Sequence, residues 1–340
     1  MIDHMDTNII TRDNYWQRIR GCCILAVIFI HCQSGADAAI DSFNGFSYFI
    51  IRNLVNFPVN IFFFMSGFFV KPIDDNISYY KNRLPKLVLP YFLYSAAFMA
   101  IRIISGSTIT VRTIISAVFL GTAATPLYYI VVLIYFTLLT PVLIKALNNR
   151  MLTVLVFLST PICLLGSYIL YFFGHDFWVY LKYSPVWLSF YFLGMFLKKN
   201  SVAFNKALLW ILLPIAYISE LASTFYLMRL NGFNAYTQLR FSGAFYSVVI
   251  ALLLYEYSKK RHNAEKADLL SRLGDDSFGI FFMHCAFTRI FVNVIQFKEK
   301  MPLVLYEAAE LVFAVVMCEI AIFVIRKIIS NNKTRMIFGV

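Results

Sequence analysis

The sequence predicts an all-α fold, a polytopic bundle of transmembrane helices, and three observations carry that prediction. The chain is 60% apolar and only 14% charged, against roughly 45–50% and about 25% in water-soluble domains. Apolar stretches of about 20 residues, the length a helix needs to cross a hydrocarbon core, recur along all 340 residues. The 30 lysines and arginines, which leave a net charge of +12, concentrate in alternate connections between those stretches, a mark of topology rather than of nucleic-acid binding. A two-domain soluble enzyme is excluded. So is a disulfide scaffold, because the six cysteines are dilute and lie mostly inside apolar runs, where a thiol acts as a small hydrophobe.

Taken in order, ten spans are expected, over residues 19–36, 49–70, 87–104, 127–144, 151–172, 183–197, 207–227, 239–257, 277–296 and 303–325. The stretch from Val111 to Ala123 is apolar but short, and reads as a half-helix or interfacial segment rather than a span. Ten crossings put both termini on one side. Residues 1–20, 71–86, 145–150, 198–206, 258–276 and 326–340 hold 21 of the 30 basic residues, which makes that side cytoplasmic. The chain therefore reads as a single membrane domain over residues 1–340, with a cytoplasmic segment at 1–18 and a cytoplasmic tail at 326–340. Residues 1–18 lack the apolar core and cleavage site of a secretory signal, so the first span is expected to act as an uncleaved anchor. The polar stretch from Ser258 to Asp276 reads as one cytoplasmic loop. No internal repeat or soluble appendage is visible, so the chemistry must sit in the spans or their short connections.

Polar residues inside spans are costly and are functional candidates by default. In span one, Arg20, His31 and Gln33 flank or interrupt the run Cys22 to Ile30. Eleven residues at 100° each bring Arg20 and His31 to about 20° apart on one face and about 16 Å apart along the axis. That places the arginine near the cytoplasmic headgroups and the histidine near mid-membrane, along one side of an inward cavity. Neutral imidazole can take a proton from a hydroxyl or carry an acyl group, and it can equally serve a proton-coupled transporter. In span nine, Ser277 and His284 are seven apart and share a face, with Arg289 following within the membrane; interhelical hydrogen bonding would use the same pattern. Arg83 and Lys86, in the predicted loop before span three, have a spacing that suits phosphate or pyrophosphate, and lipid headgroups would attract them too. Ser66-Gly67, amid the aromatics of span two, reads first as a site of close helix packing. The pairs His31-Cys32 and His284-Cys285 do not make a metal motif, since adjacent helical residues point about 100° apart and no CxxC or HExxH spacing is present. No metal is expected. Nucleophile-elbow, Walker and dinucleotide motifs are absent as well.

Arg20-Gly21 through His31, Asn60 to Phe68 around Ser66-Gly67, Arg83-Leu84-Pro85-Lys86 with Pro90, Leu127-Tyr128-Tyr129 through Pro141, and Ser277 through His284 follow one another in an order that resembles the acyltransferase-3 family of polytopic membrane acyltransferases. The blocks correspond to that family's arginine-ten residues-histidine signature, its second-span aromatic-SG block, its basic motif, its W-F-L to P segment and its late S-to-H block. Gln17, Asn60, Tyr128 and Lys86 depart from the commoner family residues. The resemblance implies transfer of an acyl group, usually acetyl, from cytoplasmic acetyl-CoA or another acyl-CoA to a hydroxyl of a cell-surface or lipid-linked glycan. It implies an integral, multi-pass protein of the bacterial inner membrane, in contact with membrane lipids, with no tightly bound cofactor and no nucleic-acid partner. The fused extracytoplasmic hydrolase-like domain of some members is not expected. In this reading His31 is general base or transient acyl carrier, Arg20 orients it or stabilises charge, and Arg83 and Lys86 hold the coenzyme A phosphates. Ser66, Tyr128, Ser277, His284 and Arg289 are the further site candidates. A transporter or flippase of a lipid-linked saccharide is the rival reading.

Overall fold

Helices form where the apolar runs are, but capping side chains set their limits. The structure, a computed structural model, describes residues 13–32, 40–175, 181–229, 235–259, 267–295 and 302–340; Gln33 lies outside them. The described residues contain no β-strand. Thirteen α-helices are described: α1 (Asn14–His31), α2 (Phe43–Leu54), α3 (Pro58–Phe68), α4 (Asn76–Ile104), α5 (Val111–Leu120), α6 (Tyr128–Ala146), α7 (Arg150–Phe172), α8 (Leu188–Asn200), α9 (Lys206–Met228), α10 (Phe241–Ser258), α11 (Leu269–Val294), α12 (Leu303–Ile328) and α13 (Asn332–Arg335). Short 3₁₀ turns, Thr125–Leu127 and Pro185–Trp187, lead into α6 and α8.

Among the described residues, eight segments are long and apolar enough to cross a membrane: Phe43–Phe68, Asn76–Ile104, Thr125–Ala146, Arg150–Phe172, Lys206–Met228, Phe241–Ser258, Leu269–Val294 and Leu303–Ile328. The predicted spans 19–36 and 183–197 correspond to α1 and α8, which fall short of that standard. The first half of α1 is polar, with Gln17, Arg18 and Arg20, and α8 has only 13 residues. Both nevertheless lie inside the bundle, α1 along α11 and α8 along α3. The stretch 111–123 forms a helix of 10 residues that stops at Gly121 in the left-handed conformation, too short to span.

Three predicted boundaries are corrected. The predicted loop of residues 71–86 is helical from Asn76, because Asp75 accepts from the amides of Ile77 and Ser78 and caps α4. Arg83 and Lys86 are therefore helical residues, ahead of a helix that absorbs Pro85 and Pro90. The predicted cytoplasmic loop Ser258 to Asp276 becomes helix at Leu269, where Asp268 and Ser271 form a reciprocal capping box. The predicted single span 49–70 is broken at Val55–Phe57, with Pro58 restarting the helix.

Large apolar side chains such as Ile104, Phe172, Ile218, Phe225, Val312 and Phe323 face outward. Water would penalise such a surface and lipid tolerates it. Inside, Ile24, Ile28, Phe63, Trp187, Ile280 and Phe282 belong to one apolar core joining α1, α3, α8 and α11. The broken helix is tied down by polar groups instead. Asn56, in the break, donates to Glu220 on α9 at 2.6 Å and accepts from Arg52 at 2.9 Å. Glu220 also pairs with Arg240, and both side chains are fully buried. Ser242 donates to the other Glu220 oxygen at 2.6 Å, so the irregular backbone of the break lies within protein rather than against lipid.

Candidate functional site

The site is built on the pairing of α1 with α11. Both helices start on the face of the bundle that carries the basic connections, where Arg18 of α1 meets Asp268, the N-cap of α11, at 2.8 Å. One turn further, two glycines let the helices touch. A Cβ on Gly274 would sit 1.8 Å from the carbonyl oxygen of Gln17, and one on Gly21 would sit 2.2 Å from that of Leu270. The helices therefore run parallel at backbone contact, and the histidines that follow each glycine by ten residues emerge at the same depth. The His31 and His284 ring centroids are 5.1 Å apart.

His284 is fully buried, and its Nδ1 lies 3.1 Å from the carbonyl oxygen of Ile280. A carbonyl can only accept, so Nδ1 carries the proton and Nε2 is left with its lone pair. The Cys285 Sγ is 3.4 Å from that Nε2. Ring nitrogens of His31 and His284 and the Cys285 sulfur all lie within 4.8 Å of one another, a set of donors that could hold a metal ion. Sequence spacing holds no such motif because the third donor comes from a different helix.

On the side away from the basic face, His31 and Cys285 open onto a cavity of about 740 Å³, within the usual range of ligand sites. Its walls come from the second halves of α4 and α11 and from the connection between α5 and α6. Arg102, Arg289, Glu310, Thr125 and Thr288 supply its polar groups. Of the predicted candidates, the fold sets His284 against His31 and puts Arg289 in the wall of the same cavity. Glu310, Arg102 and Cys285 are site residues missed from the sequence. Glu310 and Arg102 carry a readable signal, a charge inside a predicted apolar span, whereas Cys285 carries none without the fold.

Toward the basic face, the remaining candidates gather around Phe69. The Arg20 guanidinium lies over the Phe69 ring at 5.4 Å, and Arg83 donates to the Phe69 carbonyl at 3.2 Å. Arg20 and His31 are on one uninterrupted helix, so the spacing of about 16 Å holds. Ser66 donates to the Phe62 carbonyl at 2.8 Å and faces Tyr129. Lys86 is exposed and lies outside this group. Tyr128 is also elsewhere, edge-on to Tyr183 at 6.4 Å with the Lys182 ammonium 5.4 Å from its ring. The inward residue is its neighbour Tyr129, 4.6 Å from Phe63, 5.4 Å from Phe281 and within electrostatic reach of Arg20. Ser277 is spent on the Gly274 carbonyl at 2.7 Å. Gly67 meets the Tyr191 backbone so closely that no Cβ fits, so close helix packing accounts for the glycine of the Ser66-Gly67 pair.

Electrostatics at the basic face favour charged caps. Hydrogen bonding from the Ser271 amide, helped by Arg18, holds the Asp268 carboxyl below its usual range, and the Ser78 amide does the same for Asp75. Carboxylates at helix N-termini are also favoured by the helix dipole.

The family model described as an acyltransferase domain, that of the acyltransferase-3 family, matches residues 13–325, from the cap of α1 to near the end of α12. No curated protein and no solved structure matches the chain. The match takes in the Arg20 to His31 helix, the arginines around Phe69 and the histidine pair, and on it the chain belongs to the acyltransferase-3 family of membrane acyltransferases.

Proposed function

We propose that the protein transfers an acetyl group from cytoplasmic acetyl-CoA to a hydroxyl of a cell-surface or lipid-linked glycan, working in a bacterial inner membrane with both termini cytoplasmic. The observation that carries the reading is the position of His31. It stands between a basic end, with Arg20 and Arg83, and a polar cavity of about 740 Å³. Arginines suit the phosphates of coenzyme A. A cavity bearing a carboxylate, two guanidinium groups and threonine hydroxyls suits a hydroxyl-rich acceptor. His31 then accepts the proton of the attacking acceptor hydroxyl, while Arg20, about 20° away on the same helix face, fixes the donor's approach. Arg83 binds donor phosphate, with Lys86 contributing charge at the surface.

The experiment is transfer in liposomes, with purified protein, labelled acetyl-CoA and a glycan acceptor. Label on the acceptor is expected, and His31→Ala should lower the rate by about 10²–10⁴-fold at normal protein level. Acceptor crossing the bilayer without label would mean transport and overturn the reading, as would full activity in His31→Ala.

A further inference from the structure

Cys285 occupies a position that the transfer reaction, as described so far, does not use. Its thiol is part of the cavity wall beside His31. Behind it, away from the cavity, stands the fully buried His284, whose Nε2 is 3.4 Å from the sulfur. His284 is in turn held by the Ile280 carbonyl at Nδ1. A nucleophile, a base within hydrogen-bond reach and a third group that fixes the base make up the constellation of covalent catalysis. Here the three are in series from the cavity inward.

We propose that Cys285 carries the acyl group as a thioester between donor and acceptor, with His284 as the base that activates it. The proposal rests on the acyl-transfer reading above. In the first half-reaction the Cys285 S–H proton passes to His284 Nε2, and the thiolate attacks the carbonyl carbon of the acyl-CoA thioester. A carbon–sulfur bond to Cys285 forms as the bond to coenzyme A breaks, and the departing thiolate takes the proton back from His284. One thioester replaces another, so little free energy is lost. In the second half-reaction His31 takes the proton of the acceptor hydroxyl, and its oxygen attacks the Cys285 thioester. The carbon–sulfur bond breaks, and the Cys285 sulfur regains a proton from His31, whose ring nitrogen lies within 4.8 Å of it. The enzyme returns to its starting state, and coenzyme A and acyl ester are the products. Two histidines then have two distinct tasks: His284 serves the donor half and His31 the acceptor half.

The test separates those halves. Protein in liposomes is given labelled acetyl-CoA without acceptor, quenched in acid and run on a denaturing gel, then treated with neutral hydroxylamine, which cleaves thioesters. Expected results are hydroxylamine-sensitive label on the wild type, mapped to the peptide containing Cys285. The label should be lost in Cys285→Ala and unchanged in Cys163→Ala, and it should accumulate in His31→Ala, which lacks the second step. Cys285→Ala should also transfer to acceptor slower by on the order of 10²-fold or more, while keeping the wild-type melting temperature in detergent. Transfer by Cys285→Ala at the wild-type rate would overturn the thioester while leaving acyl transfer itself standing. Label that resists hydroxylamine would also overturn it. So would stoichiometric zinc in the purified protein that disappears in Cys285→Ala, since the three donors would then be metal ligands. Failure of the wild type to label any acceptor would instead sink the acyl-transfer reading.

Discussion

Replacing Gly274 by alanine tests whether the touching backbones of α1 and α11 set the catalytic geometry. The added Cβ would lie 1.8 Å from the Gln17 carbonyl oxygen, so the two helices must part by about 1.5 Å before ordinary contact is restored. Both partners are backbone, and neither can swing aside. The rings of His31 and His284, now 5.1 Å apart, would separate by a comparable amount. Forcing atoms into a packed interface costs about 1–3 kcal/mol, and a misplacement of about 1 Å costs on the order of 10² in rate. Gly274→Ala should therefore lower kcat/KM for acyl transfer in liposomes about a hundredfold and also lower the melting temperature in detergent. Gly166→Ala is the matched control, because a Cβ there meets nothing within 4 Å, and it should leave kcat/KM unchanged without lowering the melting temperature. Wild-type kcat/KM in Gly274→Ala would refute the idea that this contact sets the register of the histidines.

Arg83→Ala should raise KM for acyl-CoA roughly tenfold, the value of a charge-assisted phosphate contact, whereas Lys86→Ala, at an exposed position, should change it less; equal effects in steady-state kinetics would contradict the placement around Phe69. Arg240→Leu strands the buried Glu220 carboxylate and should cost about 3–5 kcal/mol, with most of it recovered by adding Glu220→Leu; a double variant melting no higher than the single would count against that account. Asp268 is held below its usual range in the folded protein, so its contribution is complete above the ordinary carboxylate value of about 4 and is lost as pH falls through the lowered folded value. Asp268→Ala should therefore melt below wild type at pH 7, with the gap closing in acid; a gap independent of pH would show that the carboxylate charge is not what stabilises α11.

Much of the fold was legible because a lipid solvent imposes a strong rule: apolar runs of sufficient length become helices. Arg20 and His31 were legible for a related reason, since 11 residues on one helix fix both face and depth without reference to any partner. The missed boundaries at Asn76 and Leu269 come from caps, Asp75 and Asp268, whose local hydrogen bonds extend helices into polar sequence that hydropathy reads as loop. The break before Pro58 was hidden because the carboxylate that ties it down, Glu220, comes from elsewhere in the bundle. That Tyr129 rather than Tyr128 meets Phe63 and Phe281 was not legible for want of a phase: which of two adjacent tyrosines points inward depends on how α6 is rotated against α3 and α11. Cys285 reads as one more apolar residue until a folded α11 sets its sulfur between a cavity and an imidazole.

The pairing of α1 with α11 has a consequence for how the protein is made. Arg18 and Asp268, the first contact of that pair, are separated by 250 positions in the chain. At about 5–20 residues per second, α11 follows α1 off the ribosome by roughly 10–50 s. Through that interval the polar half of α1 is in the bilayer without the helix that shields it, and it depends on interim partners or on the insertion machinery for cover. Chains cut short before α11 would leave His31 without His284 and Arg18 without Asp268, a recognisable signal for membrane quality control.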